Sequence, residues 1–142
     1  MNKILFIPLL FILACGNGST TQDETPTTQQ TTAAITKDVD APTFQTMIAE
    51  KEGAQLLDVR TPEEVSAGMI EGAQHMDFYE DNFKDQLATL DKSKPVLVYC
   101  AAGGRSGKAM DMMQKMGFNE VYNLAGGYRG WSGAGLPTTA GK

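Results

Sequence analysis

Val96-Leu97-Val98-Tyr99-Cys100-Ala101-Ala102-Gly103-Gly104-Arg105 decides how this chain is read. Four consecutive apolar or aromatic β-formers fit a strand buried on both faces, as in a parallel sheet covered by helices. Two glycines interrupt that pattern. Ser106 to Met116 then reads as a helix with Ala109, Met112, Met113 and Met116 on its apolar side, stopped by Gly117. The unit is strand, short loop, helix, with Cys100 at the hinge. Free N–H groups at a helix start and the positive end of the helix dipole converge on such a point. A thiol held there moves from a pKa of about 8.5 into a range of roughly 3.5–7.5. An inert core cysteine needs neither two glycines nor an arginine behind it. Cys100 is therefore the candidate nucleophile, and Ala101, Ala102, Gly103, Gly104, Arg105 and Ser106 form its candidate anion-binding loop.

Outward from this stretch, short apolar strands alternate with amphipathic helices. Asp40 and Pro42 open a helix with Phe44, Met47 and Ile48 on one face, closed by Gly53. Gln55 to Val59 reads as a buried strand; Thr61 caps a second helix that starts at Pro62, turns Val65 inward and ends at Gly68. Ala73 to Met76 reads as a short strand and Asn82 to Leu90 as a helix packing Phe83, Leu87 and Leu90. Beyond the Cys100 helix come an apolar stretch at Val121-Tyr122-Asn123, a turn over Leu124 to Gly127, and a last helix from Tyr128 to Ala134 anchored by Trp131. This alternation predicts an α/β fold, an open parallel sheet with helices on both faces. Ligands in such sheets bind beyond the carboxyl ends of the strands. Asp58-Val59-Arg60, the Cys100 loop and the Leu124 to Gly127 turn should therefore surround one mouth, with Asp58, Arg60 and Arg129 as further candidate crevice residues.

The chain's beginning has a different character. One early cation, Lys3, precedes an apolar run from Ile4 to Ala14, in the proportions of a secretory signal. Ile12-Leu13-Ala14-Cys15 resembles the lipobox of bacterial lipoproteins, which implies cleavage before Cys15 and lipidation of that cysteine. The expected organisation is a signal peptide over residues 1–14, a lipidated disordered linker over 15–35, a folded domain over 36–138 and a tail over 139–142. The expected location follows: exported and lipid-anchored to a bacterial membrane, with Gly16 resembling outer-membrane-directed lipoproteins that face the periplasm or the surface. A lipidated Cys15 would leave Cys100 as a single thiol in an oxidising compartment, a sign of reactivity. The formal net charge of −5 argues against nucleic acid as a partner and against a polybasic membrane patch, leaving the lipid anchor as the only membrane contact. His75, the single histidine, has no second ligand beside it, and the methionines fall at core spacing, so neither a metal site nor a cofactor is expected.

Leu57-Asp58-Val59-Arg60-Thr61-Pro62-Glu63-Glu64, Gly68-Met69-Ile70-Glu71-Gly72-Ala73, the Cys100 to Arg105 loop, and Leu124-Ala125-Gly126-Gly127 with Trp131 together resemble the rhodanese homology domain, from about Val39 to Pro137. The resemblance implies a five-stranded parallel sheet and a cysteine that carries transferable sulfur as a persulfide. The implied activity is a sulfurtransferase that takes sulfane sulfur from thiosulfate or a persulfide onto Cys100. It would pass the sulfur to a thiophile, cyanide in vitro or a thiol in vivo. A low-turnover persulfide carrier or protein-docking module is the alternative. The implied partners are small donors and acceptors on a monomer, with no protein partner specified.

Several positions depart from the family pattern. Val65 stands where a phenylalanine is common, Met69-Ile70-Glu71 replaces His-Ile-Pro, and Ala101 occupies a position often arginine in thiosulfate-using members. In the phosphatase and arsenate-reductase relatives the arginine lies six positions after the cysteine; here that position is Ser106, and Arg105 comes one earlier. The smaller ring of amides suits one sulfur atom better than a tetrahedral oxyanion.

Overall fold

In the computed structural model, which describes residues 33–139, the strand leading to Cys100 is the hub of the sheet. That strand, β5 (Val96–Tyr99), is buried along its whole length and pairs in parallel with β2 (Gln55–Asp58) on one side and β6 (Glu120–Leu124) on the other. Next to β6 runs β1 (Ile35–Val39), and next to β2 runs β4 (Gln74–His75), giving the five-stranded parallel order β1-β6-β5-β2-β4. The pleat sends alternate residues of β5 to opposite layers. Val96, Val98 and Cys100 join Leu57, Val59, Phe83, Leu87, Met113 and Phe118 in one core, whereas Leu97 and Tyr99 join Phe44, Leu124 and Trp131 in the other.

Helices α1 (Ala41–Glu50) and α5 (Gly127–Gly133) cover the second core; α3 (Phe83–Ala88) and α4 (Gly104–Lys115) cover the first. The helix starts are written in the sequence. Asp40 accepts the Thr43 N–H at 2.9 Å, and Thr61 with Glu64 closes a capping box over α2 (Pro62–Ser66). On α4, Ala109 and Met113 are buried, and Met110, Met112 and Met116 pack against the same core. In the other layer, Phe44 meets Tyr99 and Trp131 edge-on, with ring centroids 6.5 and 6.2 Å apart.

The α/β class and the parallel five-stranded sheet agree with the sequence reading, and three details differ. The charged, mostly exposed edge strand β1, Ile-Thr-Lys-Asp-Val, carries no apolar alternation and was not expected; it starts at Ile35, one residue before the expected domain boundary. A two-stranded antiparallel ribbon, β3 (Met69–Ile70) with β7 (Thr138–Thr139), was also unread, because two-residue strands have no period to detect. Its pairing of Thr139 with Met69 draws into the fold the first residue of the expected tail. Finally, α4 begins at Gly104 instead of Ser106, since Gly103 supplies the left-handed cap conformation at φ 97°. The expected signal peptide, the expected lipidation of Cys15 and the linker up to residue 32 lie outside the described residues, as do residues 140–142 of the expected tail.

Asp58 and Arg60 form the fold's buried ion pair. Leu57 and Val59 face the Cys100 layer, so Asp58 between them turns to the other one. There its carboxylate receives Arg60 Nε at 2.9 and 3.0 Å and Nη2 at 2.6 Å. The guanidinium also donates to the carbonyls of Gly68 and Glu64 at 2.6 and 3.1 Å and lies 4.0 Å from the Tyr128 ring centroid. These two residues, candidate crevice residues from the sequence, tie the chain after β2 to the turn at Gly68. Arg60→Met should leave the 0 % exposed Asp58 uncompensated and lower unfolding stability by about 3–5 kcal/mol in denaturant titrations.

Candidate active site

The site lies where β5 runs out. Cys100 sits just past the strand end, on the α4 side of the sheet, and is 2 % exposed. The chain turns through Ala101 and Ala102 and enters α4 at its Gly103 cap. Gly103 donates its N–H to Cys100 Sγ at 3.1 Å, and the Ser106 hydroxyl donates to the same sulfur at 3.3 Å. Burial pushes the thiol pKa up. The Ser106 hydroxyl, with the backbone N–H groups of Ser106, Ala102 and Gly103, outweighs that penalty and holds the pKa below the ordinary thiol value. Groups fixed before any substrate arrives thus favour the charged form of a buried sulfur.

Three anchors keep the loop in this shape. The first is α5, whose opening N–H groups point up into the loop: Tyr128 donates to the Cys100 carbonyl at 2.7 Å and Arg129 to the Ala101 carbonyl at 3.1 Å. This approach demands glycine at 127. A Cβ there would lie 2.4 Å from the Cys100 carbonyl oxygen and 2.6 Å from both Ala101 C and Ala102 N, and φ is +55°. The second anchor is a bidentate ion pair, Arg105 Nη1 and Nη2 to Glu64 at 2.8 and 2.7 Å. Hydrogen bonding to Arg105 is the main force holding the Glu64 carboxyl down at about 2, and the same bonds raise the Arg105 pKa. The third is Asn123 on β6, which donates to the Gly103 carbonyl at 3.2 Å.

The sequence-predicted residues therefore divide. Gly103 and Ser106 hydrogen-bond the Cys100 sulfur and Ala102 is among the groups that favour its thiolate, whereas the N–H groups of Ala101, Gly104 and Arg105 make no hydrogen bond to it; Gly104 and Arg105 are already in the first turn of α4. Arg105 is committed to Glu64 through a carboxylate pairing. Arg129 contributes its backbone to the loop while its side chain is exposed. His75 Nε2 bonds the Arg60 carbonyl at 2.7 Å, a structural tie. Sequence reasoning assigned no site role to Glu64 or Asn123, and it placed Gly127 at the mouth only as the end of a turn. Glu64 had a visible signal, position N3 of a capping box whose carboxylate has a second oxygen to give. On the rim, the 67 % exposed Tyr79 lies 5.5 Å from the Arg105 guanidinium.

This cradle belongs to a known family. The model for the rhodanese-like domain matches residues 40–134, from the cap of α1 through α5. A sulfurtransferase of Allochromatium vinosum is 30% identical over 106 residues, covering 75% of this chain and 97% of the relative. The thiosulfate sulfurtransferase GlpE of Pseudomonas putida is 36% identical over 84 residues, covering 59% and 74%. Among solved structures, a rhodanese-like domain protein from Staphylococcus aureus superposes with a TM-score of 0.60 at 28% identity, covering 67% of this chain and 90% of that one. The chain belongs to the rhodanese-like domain family.

If the donors at the sulfur set its acidity, the rate of alkylation of Cys100 by iodoacetamide should rise with pH around a midpoint below that of a free thiol, about 8.5. Ser106→Ala removes a donor that favours the thiolate, so its midpoint should move up, by roughly one unit. An unmoved midpoint would refute the role given to the hydroxyl.

Proposed function

We propose that the protein is a rhodanese-type sulfurtransferase whose Cys100 accepts sulfane sulfur from a small donor such as thiosulfate. The observation that carries this reading is the convergence of the Gly103 N–H and the Ser106 hydroxyl on a strand-end thiol. The thiolate attacks the outer sulfur of the donor, the donor's S–S bond breaks, and sulfite departs with the bonding pair. The outer sulfur of the resulting Cys100 persulfide then carries the charge within reach of the loop. A thiophile takes that outer sulfur and the electron pair of the broken bond returns to Cys100; cyanide gives thiocyanate, and a thiolate gives a new persulfide. Two half-reactions on one residue require ping-pong kinetics.

The names of the Allochromatium and Pseudomonas relatives support the reading. So does the state of Arg105. Its fork is held by Glu64, so wrapping a tetrahedral phosphate or arsenate would require breaking that pair first. With Ala101 and Ala102 flanking the sulfur and Arg105 neutralised, the loop offers little net charge to attract a dianion. Persulfide donors should therefore compete well with thiosulfate.

The test is intact-mass measurement after incubation with thiosulfate. The native chain should gain one sulfur atom that cyanide removes, and Cys100→Ser should gain none. Equal loading of the variant, or a disulfide-linked dimer in place of an adduct, would overturn the reading.

We further propose that the domain works from a lipid anchor on Cys15, exported and held on a bacterial membrane, the outer membrane facing the periplasm or the surface. The lipobox resemblance of Ile12 to Cys15 supports this. Cys15→Ala should move the protein from the membrane to the soluble fraction with sulfur loading unchanged; retention in the membrane would contradict the anchor.

A further inference from the structure

β6 carries one polar residue among its buried apolar ones, Asn123, at 4 % exposure. Its amide group is fully committed at one end and orphaned at the other. Nδ2 donates to Asp38 Oδ1 at 2.7 Å and to the Gly103 carbonyl at 3.2 Å, while Oδ1 is buried without a hydrogen-bond partner, the one such side-chain atom among the described residues. Chemistry fixes the orientation. Turning the amide over would set Oδ1 against a carboxylate and a carbonyl, two acceptors, and lose both bonds.

A valine at this position would fill the strand and leave no stranded oxygen, so fold stability alone does not account for an asparagine. The two bonds do. Gly103 has a left-handed φ of 97° and caps α4; its carbonyl accepts the Gly107 N–H at 3.0 Å as the first helical bond, and the Asn123 amide as a second. Asn123 also packs beside that first turn, since a Cβ on Gly107 would lie 3.5 Å from Nδ2. The same Gly103 residue points its N–H at Cys100 Sγ. On the far side, β1 sets Asp38 directly opposite Asn123 in register, so an edge strand with no residue at the sulfur orients the amide that grips the loop.

We propose that Asn123, oriented by Asp38, is a positioning residue for Cys100: it holds the Gly103 cap so that the loop's N–H donors stay aimed at the reacting sulfur. This builds on the sulfur-transfer reading for its purpose, but its effect is felt by the thiolate whatever the thiolate attacks. The charged group nearest the sulfur on the loop, Arg105, is held separately by Glu64 and is unaffected.

The test compares the pH midpoint of Cys100 alkylation by iodoacetamide in four proteins. Asn123→Ala should raise the midpoint by roughly half a unit to one unit, a threefold to tenfold loss of thiolate at a pH below both midpoints. Asp38→Ala, on an exposed edge residue, should shift it the same way by less and covers the case in which Asn123→Ala does not fold. Tyr122→Phe is the structural control. It removes a bond within β6, Tyr122 Oη to Glu120 at 3.2 Å, and should leave the midpoint in place. Unmoved midpoints in folded Asn123→Ala or, failing that, in Asp38→Ala would overturn the proposal, as would an equal shift in Tyr122→Phe. Failure of the native protein to load sulfur while these midpoints shift as stated would sink the transfer reading and leave the positioning role standing.

Discussion

Hydrogen-bond donation to one buried sulfur is the constraint around which this domain is arranged. Burial at Cys100 disfavours a thiolate, and only donors already in place can reverse that penalty. Each such bond to a charged group is worth about 1.5–3 kcal/mol when formed without rearrangement. The loop must therefore be rigid, and its rigidity is supplied from outside it. α5 grips two of its carbonyls from below, Glu64 holds Arg105 from α2, and Asn123 holds Gly103 from β6. Loss of any one anchor frees a different part of the same ring of amides.

The sheet explains why these anchors meet. Parallel strands bring the ends of β1, β2, β5 and β6 to one edge, and the pleat divides their labour. Residues on the Cys100 layer build the site, and residues on the opposite layer, Asp58, Arg60, Tyr99 and Tyr128, lock the segments that support it. The two arginine–carboxylate pairs differ accordingly. Arg60–Asp58 is sealed in the second layer and serves the fold, while Arg105–Glu64 is partly exposed at the rim and serves the loop.

Much of this was legible in the sequence because it rests on local chemistry. A buried strand followed by Cys-x-x-Gly-Gly-Arg fixes the strand, loop and helix, and alternating elements fix a parallel sheet. The capping residues Asp40 and Thr61 declare their helices. What escaped reading depends on distance in the chain. Glu64 finds Arg105 across 41 residues and Asn123 finds Asp38 across 85, so neither pairing leaves a local pattern. Edge strand β1 has no apolar period because solvent reaches residues on both of its faces and only Val39 is buried. The layer of the Asp58–Arg60 pair was not legible either, because only the pleat, set by which neighbours face α4, turns Asp58 to the opposite layer, where Arg60 meets it.

The most direct measurement is a crystal structure of the sulfur-loaded protein. The account predicts additional density for one atom on Cys100 Sγ, lying within hydrogen-bond distance of loop N–H groups, with the Arg105–Glu64 pair and the Asn123–Gly103 bond intact. An outer sulfur turned away from those amides, or a loop that has opened and released Arg105 to bind it, would contradict the account.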